Sequence, residues 1–234
     1  MAVQEIGFYE RADAALHDEH LRMALDRATG RFTQQRSTAL SGMIDSDDVR
    51  DRARAARARA IAKLDVYLQQ LAANVEAAGG HVHWAADAAE GRRIIAEIAK
   101  SRGVQRIVKG KSMASEEIHL NHALEEAGLE VIETDLGEYI IQLAGQVPSH
   151  IIAPAIHWTK EQVAQLFVEK LGMIPTDEIP VMTRTARAAL RSAFLDADMG
   201  ITGVNFAVAE TGTIVLVENE GNGRLTSGVP RIYV

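Results

Sequence analysis

Cysteine is absent from all 234 residues. That excludes disulfides, thiol nucleophiles and any cysteine-held metal or iron–sulfur cluster within these residues. Proline is scarce, at five, and the 18 glycines are scattered, so there is no long disordered linker. Positive charge is in deficit. With 25 Lys+Arg against 32 Asp+Glu the net charge is −7, which argues against nucleic acid as the main partner. No apolar run approaches the ~20 residues needed to cross a bilayer, so no membrane span is expected. The opening residues MAVQEIGFYERADAAL place acids where an export signal has a basic and then an apolar stretch. A cytoplasmic protein is expected. Also missing are a Walker loop, GxxxxGK(S/T), and a GxGxxG turn after a strand.

What is present reads as one α/β domain with an added arm. Residues 1–30 give a helix ending near Gly30, and 31–44 read as irregular. Asp45-Ser46-Asp47-Asp48 supplies capping side chains. A helix of roughly 30 residues then follows with Val49, Ala53, Ala56, Ala60, Leu64, Leu68, Leu71 and Val75 on one stripe, a span of ~45 Å. Residues 1–79 are thus expected to form a helical arm, and 80–234 the α/β domain. The arm's Arg50, Arg52, Arg54, Arg57, Arg59 and Lys63 read either as a docking surface or as a solvated face.

From residue 80 the period changes. Strands are expected at His81–Ala85, Val104–Lys109, Leu129–Thr134 and His150–Ala153. Between them lie helices opened by Asp87, by Ser112 or Ser115, by Asp135 and by the Thr159–Gln162 capping box. A further helix covers Pro180–Leu195. Strands alternating with helices of this length predict right-handed βαβ units, a Rossmann-like parallel sheet with helices on both faces. A hairpin at 204–217, cornered by Glu210-Thr211-Gly212-Thr213, is expected to extend the array, its apolar run Ile214–Val217 covered on both faces. The last residues, Val229–Val234, look like the start of a strand, which suggests a natural protein that continues.

In an open α/β sheet ligands sit beyond the carboxyl ends of the strands. Lys109-Gly110-Lys111-Ser112 leads from a strand into a helix N-terminus and reads as an anion site or as a charged turn. Asp135 follows the next strand. Glu210, beside Thr211, Gly212 and Thr213, is a candidate carboxylate nucleophile or base, the plainer alternative being a solvated turn. Arg224 could pair with a substrate carboxylate or with Glu218 or Glu220. His119 and His122 lie three apart near Glu116, but no third metal ligand is evident, and no metal site is assigned.

Three stretches taken in order, KGKSMASEEI at 109–118, ETDLGEYIIQL at 133–143 and GITGVNFAVAETGT at 200–213, resemble the LUD-domain family, and within it the iron–sulfur subunits of lactate utilization systems. The likeness runs from about residue 50 to the end. It implies the Rossmann-like fold shared with CoA transferases and sugar-phosphate isomerases. It also implies a place in a cytoplasmic multi-subunit system that oxidises L-lactate to pyruvate, with the other subunits of that system as partners. Two [4Fe–4S] clusters would belong to the full-length protein, in a ferredoxin-like segment after the LUD domain. This chain itself carries no cofactor on that reading, and the isolated 234 residues would be inactive. CoA transferases place a glutamate in a Glu-Asn-Gly corner. Thr211 replaces the asparagine here, so no covalent role passes to Glu210. The alternative function is a stand-alone enzyme of the CoA-transferase or isomerase type acting on an anionic small molecule.

Overall fold

The structure is a computed structural model that describes residues 7–149 and 153–234. The fold is α/β and Rossmann-like. Its centre is a four-stranded, fully parallel sheet built from β1 (Arg106–Lys109), β2 (Glu130–Glu133), β3 (Met199–Ile201) and, at the far edge, the two-residue β6 (Ile232–Tyr233), in the order β2-β1-β3-β6.

Period-two alternation along β1 sorts the core onto the two faces. Ile107 packs with Ala99 of α5 (Ala88–Ser101) and with Leu120 and Leu124 of α7 (Leu120–Glu126). Val108 points the other way, onto Tyr139 of α8 (Leu136–Ala144) and onto Leu190, Ala193 and Phe194 of α10 (Ile179–Asp196). Burial on both faces is what a parallel sheet requires. Outside α8 and α10 lies α9 (Lys160–Leu171), whose Phe167 is buried against Ile140 and Met182. Fully burying one such side chain is worth about 1.5–3 kcal/mol.

Side chains start these helices. Asp87 accepts from the Glu90 backbone N–H at 2.8 Å, while the Glu90 carboxylate reaches back to Ala86 N–H, also at 2.8 Å. Thr159 and Gln162 form a reciprocal capping box on α9. Ser112, rather than Ser115, caps the short helix α6 (Met113–Glu117). Asp135 caps α8 by accepting from Gly137 and Glu138.

Several expectations are corrected. The first helix does not stop at Gly30: α1 (Phe8–His17) is followed by α2 (Glu19–Ser41), which runs through Gly30 and makes most of 31–44 helical. One glycine costs a helix only about 1 kcal/mol, less than the surrounding good helix formers restore. The long helix divides into α3 (Ser46–Ala62) and α4 (Leu64–Ala77) at Lys63, whose φ of −132° leaves the helical region. Asp45 precedes α3 in the left-handed region and its side chain makes no capping bond. Residues 81–85 form no strand, since alternation without a neighbouring strand leaves the backbone unpaired. The strand expected at His150–Ala153 falls mostly outside the described residues.

The hairpin also differs. β4 (Phe206–Val208) and β5 (Thr213–Val215) pair antiparallel as a separate two-stranded sheet, not as an extension of the main one. Both strands are exposed, Phe206 at 65% and Ile214 at 39%. The strand that joins the main sheet is β3, which immediately precedes it. The hairpin tip leans on α4 instead. Asn74 donates from Nδ2 to the Ala209 carbonyl at 2.7 Å, and Gly212, at φ +72°, lies so close that a Cβ there would sit 2.7 Å from Asn74 backbone. Only glycine satisfies both the turn and that approach. Finally, α11 (Asn222–Gly228) crosses β3 with the Thr226 carbonyl 1.8 Å from where a Gly200 Cβ would stand.

Candidate functional site

The carboxyl ends of β1, β2 and β3 open into one cleft of about 500 Å³. Gly110, Lys111 and Ser112 enter from β1, Asp135 from β2, and Thr202 and Gly203 from β3; the loop 216–221 and the first turn of α11 close it from the side. The strand exits can lie this close because Gly110 and Gly203 lack side chains. A Cβ on Gly110 would stand 3.2 Å from Thr202 Cγ2, and one on Gly203 would stand 3.1 Å from Ser112 Oγ.

Lys111 is the cation of the cleft, with its Nζ 3.8 Å from Asp135 Oδ1. Three carboxylates share the lining. Asp135 is engaged as the cap of α8. Glu218 accepts from the Arg224 backbone N–H at 2.9 Å. Glu220 accepts from Leu136 N–H at 3.3 Å, so it and Asp135 meet at one helix N-terminus. Burial, and next the charge of Asp135, pushes the Glu220 carboxyl above its ordinary range. Asn205, Asn219 and Asn222 add neutral polar groups. Such a cleft suits a small molecule carrying one negative group for Lys111 and one hydroxyl for a carboxylate to accept.

Beneath the floor lies a buried polar cluster. Lys109 faces inward, wholly out of solvent, with its Nζ 2.8 Å from Glu133 Oε1 and 3.0 Å from Ser115 Oγ. Asn121 donates to Glu133 at 2.6 Å. Glu138 is buried beside it. Desolvation first, then a carboxyl–carboxyl contact with Glu116 and the nearby Glu133 charge, pushes its pKa up to about 9, so it stays protonated at neutral pH.

The expected site residues therefore separate. Gly110, Lys111, Ser112 and Asp135 line the cleft; Lys109 lies under it. Glu210, Thr211, Gly212 and Thr213 sit at the hairpin tip beside α4 and are not among the lining residues. The tip is about 15 Å along the strands from Val204 and Val217 at the cleft rim. Arg224 is 85% exposed and turns to Glu218 at 3.5 Å. Sequence reasoning named Glu220 only as a partner for Arg224, and Thr202 and Gly203 only within a stretch that carries the family resemblance. The same rule of strand ends selects Thr202 and Gly203 once β3 is recognised. Among the described residues no group of three His, Cys, Asp or Glu is placed to hold a metal ion, and no helix is long and apolar enough to cross a membrane. The two [4Fe–4S] clusters implied by the resemblance find no ligands here, because the sequence has no cysteine.

The chain is 44% identical to lactate utilization protein B of Bacillus licheniformis over 228 residues, 97% of this chain and 48% of that protein. It is 42% identical to the proteins of the same name from Bacillus thuringiensis and Bacillus cereus, over all of this chain and 50% of theirs. The chain thus spans about half the length of the curated relatives it matches. No solved structure matches it. The LUD domain family matches residues 68–234, from within α4 through β6, and the chain belongs to that family.

Proposed function

We propose that this chain is the LUD portion of an iron–sulfur subunit in a cytoplasmic system that oxidises L-lactate to pyruvate. Electrons would pass through clusters held outside these 234 residues to or from the other subunits. The observation that carries this reading is identity of 42–44% over essentially the whole chain to proteins named lactate utilization protein B. The cleft at the sheet edge agrees with it. Its ammonium, on Lys111, suits the carboxylate of a three-carbon acid, and the Glu220 carboxyl, raised above its ordinary range, suits the hydroxyl. The oxidation removes two electrons and two protons, and none of the residues here can take the electrons. These residues would bind and orient, and the redox step would lie elsewhere in the assembly.

Disrupting the gene in its host, followed by growth on L-lactate or on pyruvate as sole carbon source, tests the proposal. Growth should fail on L-lactate and persist on pyruvate, and Lys111→Ala should restore it less well than the unaltered gene. Unchanged growth on L-lactate would overturn it. The alternative, a stand-alone CoA-transferase-like enzyme working through Glu210, has less support, because Glu210 is not among the residues lining the cleft.

A further inference from the structure

A second cavity, of about 920 Å³, lies on the other side of Asp135 and Glu220, which line both spaces. Its outer wall is one face of α2, carrying Arg27 and Arg31. Four residues apart on a helix, their side chains are neighbours. Among the described residues neither makes an ion pair, although Arg50, Arg52 and Arg93 on other helices all do. The Arg31 guanidinium rests over the Phe32 ring, 5.6 Å from its centre. The inner wall includes Trp158, whose ring is fixed by donation from Nε1 to Gln146 Oε1 at 2.9 Å.

The charges are segregated. Asp135, Glu220 and Glu161 stand on the inner wall. Glu161 is held below the usual carboxylate range by its own backbone N–H and then by the Thr159 hydroxyl, and Lys160 beside it is engaged with Asp177 at 3.4 Å. An anion entering this space is repelled from the inner wall and drawn to the arginines, whose planar forks match phosphate oxygens. Carboxylates on the inner wall accept hydrogen bonds from hydroxyls. The cavity is at the upper end of ordinary ligand sites, ~300–1,000 Å³, far larger than a three-carbon acid needs.

We infer that this cavity binds a ligand of the nucleotide class, with its phosphates on Arg27 and Arg31, its flat ring against Trp158 and its sugar diol toward Asp135 and Glu220. Each of the three chemical parts meets the group suited to it, and a ligand lacking any one leaves a wall unused. The site shares Asp135 and Glu220 with the cleft assigned to lactate, but its argument does not rest on that reading.

The sequence has two tryptophans, so Trp84→Phe leaves Trp158 as the sole indole reporter. In that background ADP should quench Trp158 emission saturably. The pair Arg27→Ala and Arg31→Ala, on exposed helix positions, should raise the Kd at least ~10-fold. Inorganic pyrophosphate should compete with ADP without quenching. Absence of a saturable response to ADP, an unchanged Kd in the double variant, or failure of pyrophosphate to compete would each overturn the assignment. Growth on L-lactate reads only the proposed function and leaves this site untouched.

Discussion

Lys109 and Glu133 oppose each other in register across β1 and β2, ammonium to carboxylate at 2.8 Å, with the lysine at 0% exposure. A strand position that sequence reasoning assigns to ligand binding is thus an internal ion pair. Glu133 Oε2 and Asn121 Oδ1 have no hydrogen-bond partner among the described residues, so the pair sits in a sparse polar pocket under the cleft.

Removing one member of such a pair strands the other charge. Lys109→Met should destabilise the fold by about 3–5 kcal/mol, read as a shift in the urea midpoint. Pairing it with Glu133→Leu should recover a substantial part of that loss, since an apolar pair of similar volume has no charge to desolvate. A double variant as unstable as the single would contradict this account.

Glu138 makes stability depend on pH. Its pKa in the fold is about 9, raised by burial, by Glu116 and by Glu133, with Lys109 opposing. A raised pKa means that the folded chain keeps a proton that the unfolded chain releases above about 4.5. The contribution is complete below that value and is lost as pH rises toward about 9, by at most about 1.4 kcal/mol per pH unit. Denaturant titrations at pH 5 and pH 8 should show a larger loss for the unaltered chain than for Glu138→Gln, where this slope disappears.

Gly200 and Gly30 should respond in opposite directions to the same substitution. Gly200→Ala drives a methyl into the Thr226 carbonyl and should cost about 3 kcal/mol or more, lowering Tm by at least ~6 °C for a chain of this size. Gly30→Ala meets open space inside a helix and should add up to about 1 kcal/mol. Calorimetry on the two variants checks both signs.

Anion binding in the cleft should strengthen as pH falls through the raised range of the Glu220 carboxyl. Protonation removes a negative charge near Lys111 while leaving the ammonium intact. Glu220→Gln should bind small carboxylates more tightly at neutral pH and lose most of that pH dependence, as isothermal titration at two pH values would show.

Much of the scaffold was legible in the sequence because local chemistry and global fold agree there. Asp87, Ser112, Asp135 and Thr159 each start the helix their side chains indicate. Ile107 and Val108 face opposite cores as alternating burial demands. What was not legible depends on distant neighbours. Nothing in Met199-Gly200-Ile201 distinguishes a three-residue central strand until β1 and β6 flank it. The run Ile214–Val217 reads as buried by composition, yet β5 has only β4 beside it. Lysines are normally solvated, and only the register with Glu133 reveals why Lys109 is not. Glu220 was visible as part of a polar corner, but its approach to Asp135 comes from the path of loop 216–221.

The seat of the hairpin tip on Asn74 and Val75 has a consequence for where the domain can be divided. Trimming the chain to residues 80–234 would delete that seat while sparing every strand. The sheet would survive, but the turn at 209–213 would lose its anchor, and Val204 and Val217 at the other end of the same ribbon help wall the cleft. A helix that contributes no side chain to the pocket would then govern how wide its mouth stands.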